Sequence, residues 1–244
     1  MKGAVLVACG VGREARIAQS GGGVVAVAGG GDGDWLAERL DALVREGAAG
    51  VMSFGLCGAL EPRLRVRDVV VADGVLGDTT ADCHPAWVAA LRTRIVPGPR
   101  EEGGLSDRRD SSGPAFRHKA GITVWADGLL ASGPARKAVL AATGAVAIDM
   151  ESHIAARVAA RHDLPFACLR VVSDTAADTL PPAFVVAMQR GGGTNVSTLL
   201  RSLAAHPAQV PAFARASANA VRALKRLDLL SRLLGPRLGL PNLG

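Results

Sequence analysis

The sequence predicts an α/β protein: a mixed, mostly parallel central sheet flanked by helices, with a helical C-terminus. Three observations point there. Short continuous apolar runs, such as residues 4–9 (AVLVAC) and 166–172 (FACLRVV), read as strands buried on both faces. Between such runs lie segments with apolar residues at helical spacing, such as Leu36, Leu40, Leu43 and Val44. The two kinds of segment alternate in a β-α-β-α-β order, which parallel strands require because their connections must cross back over the sheet.

Taken in order, residues 4–9 form the first strand, and Gly10-Val11-Gly12 turns it into a helix beginning near Arg13. Residues 24–28 form the second strand, closed by Gly29-Gly30-Gly31. Asp32 or Asp34 can cap the helix that follows. Residues 50–56 make a third strand and residues 69–75 a fourth, extensible to Leu76. Residues 97–117 mix Gly, Pro, Ser and charges, which predicts a flexible surface loop. The pattern resumes with a strand at 122–125 and a helix over about 134–142. An apolar run at 146–148 leads into another helix, and residues 166–172 form the next strand. Residues 194–235 are helical, and Val210, Phe213, Ser217, Ala220, Leu224, Leu227 and Leu230 trace one stripe along a long helix. There is no internal repeat, and residues 1–244 read as a single domain.

With 49% hydrophobic residues the chain has ample material for a core, which excludes wholesale disorder. Aromatic residues make up only 3% and Tyr is absent, so no Tyr hydroxyl can serve in catalysis. The net charge of +6 rests almost wholly on Arg. No recognition helix, zinc spacing or stacking motif accompanies it, so nucleic acid is not expected as a partner. Arg215, Arg222, Lys225, Arg226 and Arg232 decorate the long C-terminal helix. A solvated basic face on a packed helix is the simpler reading of them, and a peripheral membrane contact the sharper one. Cys9, Cys57, Cys83 and Cys168 form no CxxC pair and read as buried reduced thiols of a cytoplasmic protein. The N-terminal apolar run lacks the length and cleavage site of a signal peptide. His84, His118, His153, His162 and His206 are scattered without metal-ligand spacing, so no metal is expected.

Most of the chemistry concentrates between Gly144 and Asp178. There Glu151 and Asp174 each follow an apolar run, at the carboxyl end where α/β sheets bind ligands. Two carboxylates at such a rim are a candidate acid/base or hydroxyl-binding pair. A rival signal sits at the N-terminus. Gly10-Val11-Gly12-Arg13-Glu14-Ala15 matches GxGxxA, with Asp32 about twenty positions on, which is the pattern of a dinucleotide-dependent reductase. Against it stand the charged Arg13-Glu14 pair, the glycines before Asp32, and the missing Tyr of many small reductases.

Several motifs resemble one family. The segment from Ser53 to Leu60 (SFGLCGAL), followed by Val66-Arg67-Asp68-Val69-Val70-Val71, is similar to the glycine-containing strand exit and next strand of nucleoside phosphorylases and nucleosidases. Ile148-Asp149-Met150-Glu151-Ser152 resembles their Glu-Met-Glu ribose motif, with Asp149 in place of the commoner Glu. Leu169-Arg170-Val171-Val172-Ser173-Asp174 resembles the strand ending in their catalytic Ser-Asp. The segments TGAVAIDMES, LPFACLRVVSD and DTLPPA look most like the hopanoid-associated phosphorylases. That resemblance implies release of adenine from adenosylhopane, a nucleoside-lipid substrate. A methylthioadenosine/S-adenosylhomocysteine-type nucleosidase is the alternative.

The same resemblance implies roles. Asp174 would be the general acid that protonates the departing purine, with Ser173 orienting it. Glu151 would hold the two ribose hydroxyls, with Met150 against the sugar and Arg170 near it. Leu130, Cys57 and Gly58 would line the base, with Asp127-Gly128-Leu129-Leu130 as the pocket segment. Glu14 falls where nucleosidases keep the carboxylate that activates water, whereas Gly12, Arg13 and Arg16 could surround a phosphate. Hydrolysis and phosphorolysis therefore both stay open, and the resemblance to the hopanoid-associated phosphorylases leans to phosphorolysis. No cofactor is implied, phosphate entering only as a co-substrate, and a homo-oligomer is expected. Each residue also has a plainer reading. Ser173-Asp174 can cap a loop, Glu151 suits the first turn of a helix, and Met150 suits a core. Asp149 can act as a cap, and Arg170 can pair with Glu151 or Asp149.

Overall fold

The computed structural model describes residues 3–77, 80–95, 123–125, 133–179, 181, 188–189, 193–194 and 196–242. The expected loop at 97–117 and the pocket segment at 127–130 lie outside these. Strand β1 (Val5–Cys9) leads into α1 (Gly12–Gln19), then β2 (Val24–Ala28), α2 (Gly33–Val44) and β3 (Gly50–Ala59). Every residue of β1 is buried, as its uninterrupted apolar run demands. Helix α2 starts at Asp32, whose carboxylate accepts the Trp35 N–H at 2.9 Å, and it buries Leu36, Leu40 and Leu43.

The run at 69–76 does not form one strand. It divides into β4 (Val69–Val71) and β5 (Gly74–Leu76), followed by β6 (Thr80–Asp82) and α3 (Pro85–Ile95). The halves serve different neighbours: β4 pairs antiparallel with β9, whereas β5 pairs with β6 and β7. Apolar content alone cannot reveal that change of partner. Then come β7 (Thr123–Trp125), α4 (Gly133–Thr143), β8 (Ala147–Ile148), α5 (Ser152–Arg161) and β9 (Phe166–Asp174). A short antiparallel pair, β10 (Met188–Gln189) and β11 (Gly193–Thr194), precedes α6 (Val196–Ala205) and α7 (Val210–Leu234).

Nine strands form the central sheet among the described residues, ordered β2-β1-β3-β8-β7-β5-β6 with β9 and β4 on the other flank of β3. Most pairings are parallel; β3–β8, β4–β9 and β5–β6 are antiparallel. The long strand β3 is the axis, pairing with β1, β8 and β9. Its partner β9 runs alongside with Gly55 opposite Arg170, and a register shift after Cys57 then sets Gly58 opposite Asp174. Without that bulge, Gly58 and Asp174 would fall out of step and face opposite sides.

The C-terminal stripe packs over only half its length. Leu224, Leu227, Leu230 and Leu234 are buried, each contributing about 1.5–3 kcal/mol, while Val210 at the other end is 46% exposed. The packed half is latched by the Ser231 hydroxyl donating to the Ile17 carbonyl at 2.9 Å and by Arg94 donating to the Leu234 carbonyl at 2.8 Å. Beyond it, Trp87 Nε1 donates to the Leu238 carbonyl at 3.2 Å. All four cysteines are buried free thiols.

Candidate active site

The site is built where β1, β3 and β9 end and α1 and α5 begin. Glu14, in the first turn of α1, does not face solvent; it is 3% exposed and folds back over the strand exit. Its Oε2 accepts the backbone N–H groups of Gly10 (2.7 Å) and Val11 (2.9 Å), and its Oε1 accepts that of Leu56 (2.8 Å). One carboxylate thereby ties α1 to the exit of β3. The same bonds answer the dinucleotide pattern. The amides a pyrophosphate would need are occupied by Glu14, and Asp32 serves as the cap of α2.

Glycines clear the space. A Cβ at Gly55 would stand 2.8 Å from the Glu14 carboxyl carbon and 2.9 Å from Arg170 Nη1. At Gly10 it would lie 3.2 Å from Glu151 Oε1 and 3.3 Å from Glu14 Oε2, so the two carboxylates flank one glycine. At Gly58 it would lie 2.8 Å from Asp174 Oδ2. Gly55 and Gly58 are three residues apart on β3, about 10 Å along a strand, so Glu14 and Arg170 meet one part of it and Asp174 another.

Arg170 is the hub of the first pair. It has no solvent exposure, and its Nε lies 3.0 Å from Asp149 Oδ2 and its Nη1 3.6 Å from Glu151 Oε2. Its Nη1 also donates to the Leu56 carbonyl (3.3 Å), and its Nη2 to the hydroxyls of Ser152 (3.2 Å) and Ser53. Asp149 in turn accepts the N–H groups of Glu151 (2.9 Å) and Ser152 (2.8 Å), capping α5. The guanidinium of Arg170 thus makes the ion pairs with Asp149 and Glu151 that its plainer reading anticipates. Burial drives the carboxyls of Glu14 and Glu151 above their ordinary range, with Arg170 opposing.

Asp174 closes β9, 7% exposed. The Ser173 hydroxyl donates to its Oδ1 at 2.8 Å, with the Cys57 carbonyl 3.1 Å away. Arg136 Nη1 approaches its Oδ2 to 2.5 Å and donates to the Thr175 carbonyl at 2.9 Å. Burial raises the Asp174 carboxyl above its usual range, against the lowering effect of Arg136. A carboxyl whose affinity for a proton is raised is suited to general acid work.

Among the residues expected at the site, Glu14, Glu151 and Arg170 meet around Gly10 and Gly55, while Ser173, Asp174, Cys57 and Gly58 meet at the bulge. Met150 is half-buried beside Glu151. Gly12 opens α1, and Arg13 and Arg16 are exposed on it. Leu130 lies outside the described residues. Sequence reasoning missed Arg136, Ser53 and Ser152. For Arg136 the signal existed: it shares the i, i+3, i+4 face of α4 with Val139 and Leu140, which pack on buried Leu60, Ala145 and Ile148. A lone cation on an apolar face needs a buried partner.

A family model described as "Phosphorylase superfamily" matches residues 6–205. No curated protein matches the sequence. Solved structures share the fold. A Neisseria meningitidis 5'-methylthioadenosine/S-adenosylhomocysteine nucleosidase in complex with methylthio-immucillin-A is 15% identical, with 93% of this chain and 99% of that chain covered and a TM-score of 0.56. A Streptococcus pyogenes S-adenosylhomocysteine nucleosidase is 15% identical over 92% and 97%, at 0.54. The futalosine hydrolase of Helicobacter pylori is 13% identical over 92% and 97%, at 0.54.

Proposed function

The chain belongs to the phosphorylase superfamily, and we propose that it cleaves the N-glycosidic bond of an adenine nucleoside by hydrolysis. The carrying observation is the placement of Glu14 and Glu151 at one end of the β3–β9 seam and Asp174 at the other. Asp174 donates its proton to a purine ring nitrogen, so the base leaves neutral as the bond to the sugar C1′ breaks. The sugar becomes oxocarbenium-like, as in glycoside hydrolysis. Glu151 accepts from the ribose hydroxyls. Glu14 takes a proton from water as its oxygen attacks C1′, giving free adenine and the free sugar.

Water is favoured over phosphate because Glu14 already fills the amide nest at the start of α1. An anion seated there would meet a buried carboxylate. For the substrate we propose a nucleoside of the adenosylhopane kind, which rests on the resemblance of TGAVAIDMES, LPFACLRVVSD and DTLPPA to the hopanoid-associated group.

Purified protein should be given adenosine, methylthioadenosine and a lipid-linked adenosine, with and without phosphate. Release of adenine with free reducing sugar, indifferent to phosphate, is the expected result. A sugar 1-phosphate that forms only with phosphate would overturn hydrolysis and move Gly12, Arg13 and Arg16 into the reaction. Absence of adenine from all three substrates would overturn the whole reading.

A further inference from the structure

The positive charge of the chain is concentrated in its C-terminal helices. Residues 196–242 hold seven Lys and Arg against one acid, Asp228, while the rest of the sequence is balanced at 21 of each. That surplus equals the whole net charge of +6. The same segment carries every large hydrophobic side chain exposed among the described residues: Leu200 (61%), Val210 (46%), Val221 (39%), Leu229 (52%) and Leu233 (51%).

On α7 exposed apolar and basic side chains share a face. Along α7 the buried side runs through Leu224, Leu227, Leu230 and Leu234, and the outward side carries Val221, Leu229 and Leu233 among Arg222, Lys225 and Arg232. Nothing described between residues 197 and 222 is buried, so the side chains of α6 and of the first half of α7 are half-buried or exposed. No described helix is long and apolar enough to cross a membrane. Leucines interleaved with cations on one side of a helix are the pattern of an element lying in a bilayer interface, where apolar groups enter the acyl boundary and cations meet anionic headgroups.

We propose that α6 and α7 form a docking surface for an anionic lipid bilayer. Charge decides between occupants. A second copy would bring an equally cationic face and repel, and a nucleic acid would leave the exposed leucines without a partner. A bilayer of anionic phospholipid satisfies both the leucines and the cations.

The test is co-flotation of the full chain with vesicles of phosphatidylcholine alone or enriched in phosphatidylglycerol. Binding to the anionic vesicles only, weakened by salt, is expected. Arg222→Gln with Lys225→Gln should reduce it about 25-fold, from roughly fivefold per cation near the surface. Leu229→Gln with Leu233→Gln, both at exposed positions, should reduce it at least tenfold without changing the circular dichroism or adenine release. Equal recovery with both vesicle types, or with neither, overturns the proposal. So does a concentration-dependent dimer lost in the leucine variant, or binding of single-stranded DNA that outcompetes vesicles and ignores the leucine changes. Docking does not rest on the proposed reaction: an Asp174→Asn protein should float as well as the unaltered one.

Discussion

Arg136 Nη1 and Asp174 Oδ2 lie 2.5 Å apart, with the Arg136 side chain 1% exposed and that of Asp174 10%. A cation thus stands against the proposed proton donor. Its charge favours the ionised carboxylate, while burial favours the acid, and burial prevails.

Replacing Arg136 by Met should therefore raise the Asp174 pKa further. The acid works while protonated, so the alkaline limb of kcat/KM against pH should move up, by about one unit or more. A limb that stays in place would show that Arg136 does not tune Asp174. Stability gives a second readout. The orphaned carboxyl can neutralise itself by binding a proton, so the variant's Tm deficit should shrink as pH falls.

Asp174→Asn retains the size of the side chain but cannot supply the proton. Adenine release should fall by about 10²–10⁴-fold with little change in KM. Single-turnover measurement of free adenine checks it, and unchanged activity would remove Asp174 from its role.

Glu14→Gln has one acceptor oxygen for three amide donors, and its amide group must oppose one of them. Activity should drop at least a hundredfold, with a stability loss of about 1–3 kcal/mol from the unsatisfied N–H. Chemical denaturation and adenine release, measured on the same preparation, separate the two effects.

Glu151→Gln tests a pH-dependent cost. The folded carboxyl titrates above the ordinary Glu value of about 4.3. The folded state therefore holds a proton that the unfolded state has released, and stability is lost as pH rises from there through the folded pKa. The Gln variant lacks that loss. Its Tm relative to the unaltered protein should rise between pH 5 and pH 8, while ribose binding weakens and KM increases. A constant Tm difference would refute the raised pKa.

Gly55→Ala should impair activity more than folding. The added methyl meets the ends of Glu14 and Arg170 first, at 2.8 and 2.9 Å, yet both are pinned by other bonds. Overpacking of this kind costs about 1–3 kcal/mol, and the displaced carboxylate should lower turnover at least tenfold. Thermal melting and kcat check the split.

The sequence disclosed what is local. Glu151 and Asp174 follow apolar runs directly, and Glu14 follows the first strand, so their places at strand ends were readable from patterns a few residues long. The pairing of Arg136 with Asp174 spans α4, β8, α5 and β9, and no local period encodes it. Only a cation on an apolar helix face hinted that a buried partner was needed. The division of residues 69–76 between two sets of neighbours escaped for the same reason, since both halves are equally apolar. Along α7 the stripe from Val210 to Leu230 is continuous in sequence, but the body it packs against ends near Ala223. Periodicity reports a face and is silent on how far its partner extends.

The four buried cysteines have a practical consequence. Burial pushes Cys9, Cys57, Cys83 and Cys168 above the usual thiol range, so almost no thiolate is present at neutral pH and none faces solvent. The native molecule should be silent to maleimide reagents. A single cysteine introduced at Leu229 or Leu233 would then carry the only label, and an environment-sensitive fluorophore there would report α7 meeting a bilayer without any background to subtract.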